Sequence, residues 1–347
     1  MTWFRTHRSV SVLAVALALA LAFASQSPTD LDLVLIVCTT GLIAVSLGLV
    51  YGQAGVMSIA QGAFAAVGAY TTAILTKQLE LPLWMGLVAA LLIPAALAFL
   101  LARVIVRLST MALAVATLLL AEVLGYAISA GGEFTGGFIG IAGIGSWEFM
   151  ESRLGAAAAG AVLLTLAVLL VSHLVHSQQG RALRVIATDP VLARSLGVDV
   201  TTRLSVVFAI GGAIAGAAGW LYASTRSFLA PESFPVLLSL EVLMMVIIGG
   251  KRTVLGPVVG TAVLVVVLDL IPASDLRGVF YGAALVLVLV LFPNGLLGSD
   301  WRGLVRRLRP RPAGGPDRDD AVTAATADQS SAGPLAGSRP SHTGSPA

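Results

Sequence analysis

Residues 154–176 read LGAAAAGAVLLTLAVLLVSHLVH, without one acid, lysine or arginine. As a helix rising about 1.5 Å per residue, the stretch is ~34 Å long, enough to cross ~30 Å of hydrocarbon. It is apolar all round, unlike a helix lying on a soluble surface. A β-barrel strand would alternate lipid-facing and lumen-facing residues, which this run does not do. It therefore reads as a transmembrane helix.

Working outward, similar runs lie near 10–24, 31–51, 55–76, 83–106, 110–130, 204–224, 236–250, 255–271 and 279–297. With 154–176 they predict an all-α polytopic bundle of about ten spans, or nine if a leader is cleaved. Arg5, Arg8 and the apolar Val10–Leu21 also fit a removable signal. Composition agrees: of 347 residues 57% are hydrophobic and 11% charged, with a mean hydropathy of +0.93. A soluble domain carries about 25% charged residues, so soluble enzymes, nucleic-acid binders and disordered scaffolds are poor readings. Cys38 is the single cysteine, which excludes an intrachain disulfide and a cysteine-built metal site.

Cations test this map independently. With the N-terminus inside, inner segments collect Arg5, Arg8, Arg103, Arg107, Arg181, Arg184, Arg194, Arg203, Lys251, Arg252, Arg302, Arg306, Arg307, Arg309 and Arg311. Outer segments hold only Lys77, Arg153, Arg226 and Arg277. That bias predicts cytoplasmic termini and a multi-pass protein of the cell membrane.

Residues 1–300 are expected to form the membrane domain. The tail, 301–347, is rich in Pro, Gly, Ser and Ala, cannot bury enough surface to fold, and is expected to be disordered in the cytoplasm. Within the membrane part, Gly52, Gly55, Gly62 and Gly68 cluster in one half, and the short run 236–250 ends at Gly249-Gly250 in the other. Interrupted segments in both halves point to broken helices along a pathway. Close helix packing is the preferred reading for any single glycine, including the Gly212/Gly216 and Gly256/Gly260 pairs.

The long inner connection, 177–203, specifies a helix of its own. Asp189 can cap it, Pro190 suits the first helical position, and Val191, Leu192 and Leu196 share an apolar face. Gly197 can end it in the left-handed conformation. Such a helix either lies on anionic lipid, helped by Arg181, Arg184 and Arg194, or docks into a partner protein.

GRALRVIATDPVLARSLGVD within this connection resembles the cytoplasmic coupling segment of branched-chain amino acid ABC importer permeases, M-type subunit. LGLVYGQAGVMSIAQGAFAAVGAYTTAIL at 47–75 is similar to that family's glycine-rich helix pair. Glu122, then TGGFIGI at 135–141, resembles its Glu and TGGxxGI pattern; APESFPVLLSLEVLMMVIIGG at 230–250, GPVVG at 256–260 and LFPNGLLG at 291–298 follow in order. The likeness spans roughly residues 35–298. Two departures are Lys251-Arg252-Thr253 after the glycine pair, where a glycine and a small residue are usual, and Phe138-Ile139, where Pro-Asn is common. The resemblance implies ATPase coupling through Gly180, Arg181, Arg184, Asp189, Pro190, Leu192, Ala193, Leu196 and Gly197. For the translocation path or its packing the candidates are Gly52, Gly55, Gly62, Gly68, Glu122, Thr135, Gly136, Gly137, Glu241, Gly249 and Gly250.

No catalytic residue is expected. Gly249-Gly250-Lys251 is followed by Arg252 rather than Ser or Thr, and Met245 stands where a phosphate-binding loop needs its first glycine. His173 and His176 are three apart on one span, but with no carboxylate or thiol nearby they read as anchors at the inner interface, not metal ligands. Glu122, Glu241 and Asp269 lie within spans. An ionised carboxylate there costs roughly 2.5–3.5 kcal/mol, so each is expected to face the bundle interior or a watery cavity.

The implied function is the membrane subunit of an ATP-driven importer of branched-chain or related amino acids, or else of urea and short amides. Its implied partners are a second homologous permease, two cytoplasmic ATPases carrying the ATP-Mg, an extracytoplasmic substrate-binding protein and the lipid bilayer, with no nucleic acid and no cofactor in this chain. The rivals are a proton-coupled secondary transporter using Glu122 or Glu241 and a non-transporting scaffold. A self-sufficient secondary transporter has no need of a docking helix.

Overall fold

A computed structural model describes residues 2–25, 27–226, 228–269 and 296–297. The span expected at 279–297 and the tail at 301–347 lie outside these residues, apart from Leu296 and Leu297. Among the described residues the protein is helical, with one short antiparallel ribbon. The helices are α1 (Thr2–Ala24), α2 (Pro28–Leu47), α3 (Gln61–Lys77), α4 (Leu83–Ile105), α5 (Thr110–Ala130) and α6 (Glu148–Glu151). After these come α7 (Arg153–His176), α8 (Gln178–Thr188), α9 (Pro190–Ser195), α10 (Val200–Thr225), α11 (Val236–Gly249) and α12 (Gly256–Asp269).

Six helical segments among the described residues are long and apolar enough to cross a membrane: Pro28–Gln53, Leu83–Ile105, Met111–Ala130, Arg153–His176, Val200–Thr225 and Pro231–Gly249. Ser11–Ala24 and Gly256–Val267 are shorter apolar helices. α10 is the central pillar, packed along α4, α3 and α2, while α2 also supports α7, α11 and α12. Small residues set these approaches. A Cβ at Gly68 would sit 2.6 Å from the Gly216 Cα, and one at Gly212 would sit 2.7 Å from the Pro94 carbonyl oxygen. A Cβ at Gly260 would run into the Met245 carbonyl, so α11 and α12 touch backbone to backbone.

α2 does not end as a regular helix. It passes into a π-helical turn, Gly48–Gln53, and residues 55–60 are not helical. The span expected from residue 55 thus begins only at Gln61. This irregular backbone is bonded within the protein: Val56 N–H donates to the Val50 carbonyl (3.3 Å) and Ile59 N–H to Thr117 Oγ1 (3.0 Å). Those partners make a non-helical stretch tolerable in a membrane protein.

On the opposite end, β1 (Ile141–Ala142) pairs with β2 (Phe228–Leu229), matching Ile141 to Leu229. The approach to β1 is the TGGFIGI loop. A Cβ at Gly140, which has φ +84°, would collide with the Leu229 carbonyl. Thr135 Oγ1 donates to the Ile128 carbonyl at 2.6 Å, tying the loop to the end of α5.

Candidate functional site

The 177–203 connection carries two helices where one was expected. Ser177 caps α8, its Oγ accepting from Gln179 N–H at 3.1 Å. Leu183 and Ile186, three apart on one face of α8, are buried against the bundle. Asp189 then caps α9: its Oδ1 accepts from Val191 N–H (2.8 Å) and Leu192 N–H (3.1 Å), with Pro190 in the first turn. The exit is a Schellman turn. Gly197, at φ +78°, donates to the Arg194 carbonyl, and Val198 donates to that of Ala193, both at 3.0 Å. Asp199 Oδ1 accepts from Thr202 N–H to start α10. Hydrogen bonds from Thr202 hold this carboxyl below its ordinary range.

Only part of the expected coupling set faces outward. Val191, Leu192 and Leu196 are 72%, 50% and 66% exposed, an apolar patch on a rigidly capped turn. Arg181 and Arg184 are exposed as well. Gly180 and Ala193 are buried and cannot touch a partner. A Cβ at Gly180 would strike the Val175 carbonyl, so both residues seat the hairpin on the bundle instead.

The end of α8 meets the break in α2. Gly55 has φ +73°, and a Cβ there would lie 3.0 Å from the Ala187 Cβ. A cleft of about 750 Å³ opens on one side of this contact, bordered by Gly52, Gln53, His176, Arg184, Thr188 and Arg252. A second, of about 370 Å³, opens beside Gly55, Arg107, Pro190 and Arg194. The hairpin is thus wedged between two openings at the foot of the irregular segment.

Above that segment is a polar cluster that sequence reading missed. Ser46 Oγ donates to Gln61 Oε1 (3.1 Å), Gly62 N–H donates to Ser239 Oγ (3.1 Å), and Thr117 caps Ile59. These groups bring α2, α3, α5 and α11 together. Hydroxyls buried in apolar spans were the available signal.

Most candidate path glycines occupy close contacts. Gly62 lies against the Ser239 hydroxyl, Gly52 beneath the Lys251 carbonyl, and Gly249 against Gly256. Gly250 ends α11 at φ +106°. Gly136 and Gly137 take φ +73° and +54° in the loop held by Thr135. That loop exposes Phe138 and Ile139. Glu241 is half-buried. Glu122 and Asp269, by contrast, are exposed on the surface of the described chain, against the expectation that each carboxylate faces inward. For Glu122 the reason is that α5 stands at the rim, held by α3, α11 and Pro231–Ser233, and turns its other side out. Asp269 is the last residue of α12. His176 Nδ1 donates to the Ser172 carbonyl at 2.7 Å. Among the described residues no three His, Cys, Asp or Glu side chains gather as a metal site.

The chain is 29% identical over 284 residues to the high-affinity branched-chain amino acid transport system permease protein LivM of Salmonella typhimurium, covering 74% of this chain and 67% of the relative. LivM of Escherichia coli matches to the same extent. The probable branched-chain amino acid transport permease protein LivH of Methanocaldococcus jannaschii is 27% identical over 294 residues, 77% of this chain and 91% of that one. No solved structure matches. Residues 31–289 match the family described as branched-chain amino acid transport system permease component, and the chain belongs to that family of membrane transport proteins.

Proposed function

We propose that this chain is the membrane subunit of an ATP-driven importer of branched-chain amino acids in the cell membrane. It crosses about ten times, or nine after removal of a leader, with both termini in the cytoplasm. It performs no hydrolysis itself. Two ATPases bind below it, a second permease beside it, and a substrate-binding protein outside. The observation that carries this reading is the capped α8–α9 hairpin, which presents Val191, Leu192 and Leu196 outward and rests through Ala187 on Gly55 at the break in α2. Closure of the ATPases would move the hairpin and, through that contact, the irregular segment and the polar cluster above it. The substrate assignment follows the relatives' names.

The test is uptake into vesicles holding the co-expressed complex. ATP inside an ATPase-facing compartment should drive accumulation of leucine, isoleucine or valine in the presence of the binding protein. A proton gradient alone should drive none. Accumulation by the permease with a gradient and no ATP would overturn the proposal.

A further inference from the structure

We propose that the outward face of α5 borders the watery path between this chain and a second, homologous permease, with the Glu122 carboxylate facing that path. This rests on the transporter reading above. Leu113, Thr117 and Ala121, four apart, form the buried side of α5. Met111, Val115, Leu119, Glu122 and Tyr126, spaced by four, four, three and four, form the opposite stripe and are exposed. Only 17% of this span is buried, the smallest share among the six long spans. Glu122 lies about 18 Å along the helix from Thr110, in its middle third. No hydrogen bond or ion pair holds it among the described residues.

Lipid is the one neighbour this carboxylate excludes, since an ionised group there must reach water or protein. The occupant is a homologous permease for a further reason. Relatives named LivM and LivH both match this chain along most of its length, so one fold serves both kinds of permease. Related subunits pair through corresponding faces about an approximate twofold axis. Dry contact would then set a carboxylate close to its counterpart region across the axis, whereas water between the two faces hydrates it. A small recess lined by Tyr70, Ala121, Gly125, Phe234 and Ser239 lies where α5 meets its neighbours.

The experiment uses the full complex in vesicles, in a Cys38→Ser background. Glu122→Cys is compared with Leu166→Cys, which lies at similar depth on the exposed side of α7. A small, water-soluble cationic thiol reagent should label Glu122→Cys at least tenfold faster, and ATP should change that rate. Tyr126→Cys, which keeps Glu122, should be cross-linked by a bifunctional thiol reagent to a cysteine at the matching helix of the second permease. Equal labelling of Glu122→Cys and Leu166→Cys in a complex that still transports overturns this inference and leaves the transporter reading standing. So does an intrachain cross-link from Tyr126→Cys to a second cysteine introduced at Leu287 of the same chain. A complex that never couples ATP to uptake removes both.

Discussion

Replacing Gly55 with alanine should weaken coupling without dissolving the protein. Gly55 sits at φ +73°, where an L-residue costs roughly 1–2 kcal/mol. Its new methyl would also meet the Ala187 Cβ at 3.0 Å and Cα at 3.1 Å, so the hairpin must yield by a few tenths of an ångström. Global stability of ~5–15 kcal/mol absorbs this. The strain falls on the Gly55–Ala187 contact, where α8 meets the break in α2. At about 1.4 kcal/mol per factor of ten, ATP-driven uptake should drop roughly five- to thirtyfold. The ATPases should still co-purify, and basal hydrolysis should persist. Ala187→Gly in the same chain removes the nearest methyl but not the backbone cost, so it should restore part of the uptake. Wild-type uptake by Gly55→Ala at normal expression would refute the idea that motion passes through this contact.

Other consequences follow from the same geometry. Asp189→Ala removes the acceptor of two α9 amides, costing about 1 kcal/mol, and should weaken ATPase retention roughly fivefold in pull-down titrations. Gly68→Val forces a branched side chain into the Gly216 backbone and should lower the complex's thermal midpoint in detergent, with a cost of about 1–3 kcal/mol or more. Single cysteines at Gln178 and Ser331, in a Cys38→Ser background, should be protected from an impermeant thiol reagent outside intact cells; labelling of either would reverse the orientation.

The spans were readable because length and apolarity are all that crossing hydrocarbon demands, and α4, α5 and α7 begin and end within a residue of the runs that predict them. Which side of a span faces protein was not readable. Lipid tails are as apolar as leucine, so the stripe Met111-Val115-Leu119 and the buried Leu113 carry the same signal. Gly52 and Gly55 signalled a break, but its extent to Gln61 was hidden for a related reason: GVMSIA is composed like its helical neighbours, and it is held by hydroxyls from distant helices such as Thr117. The α9 caps were legible because Asp189, Pro190 and Gly197 act locally. α8 escaped notice although Ser177, Leu183 and Ile186 mark a cap and one face. Gly180 and Ala193 share the coupling motif, yet burial gives them a seating role that no motif distinguishes.

The most direct test of the central claim is the pair Leu192→Ala/Leu196→Ala. Both side chains are at least half exposed and lie one turn apart, so truncation removes apolar contact with a docked partner rather than with the bundle. At about 25 cal/mol per Å² the two changes should cost a few kcal/mol of docking. The measurement is the amount of ATPase co-purifying with the permease at equal membrane levels. The account predicts normal insertion, loss of the ATPase subunits and loss of substrate-stimulated hydrolysis. Full ATPase retention and normal transport by the double variant would contradict it.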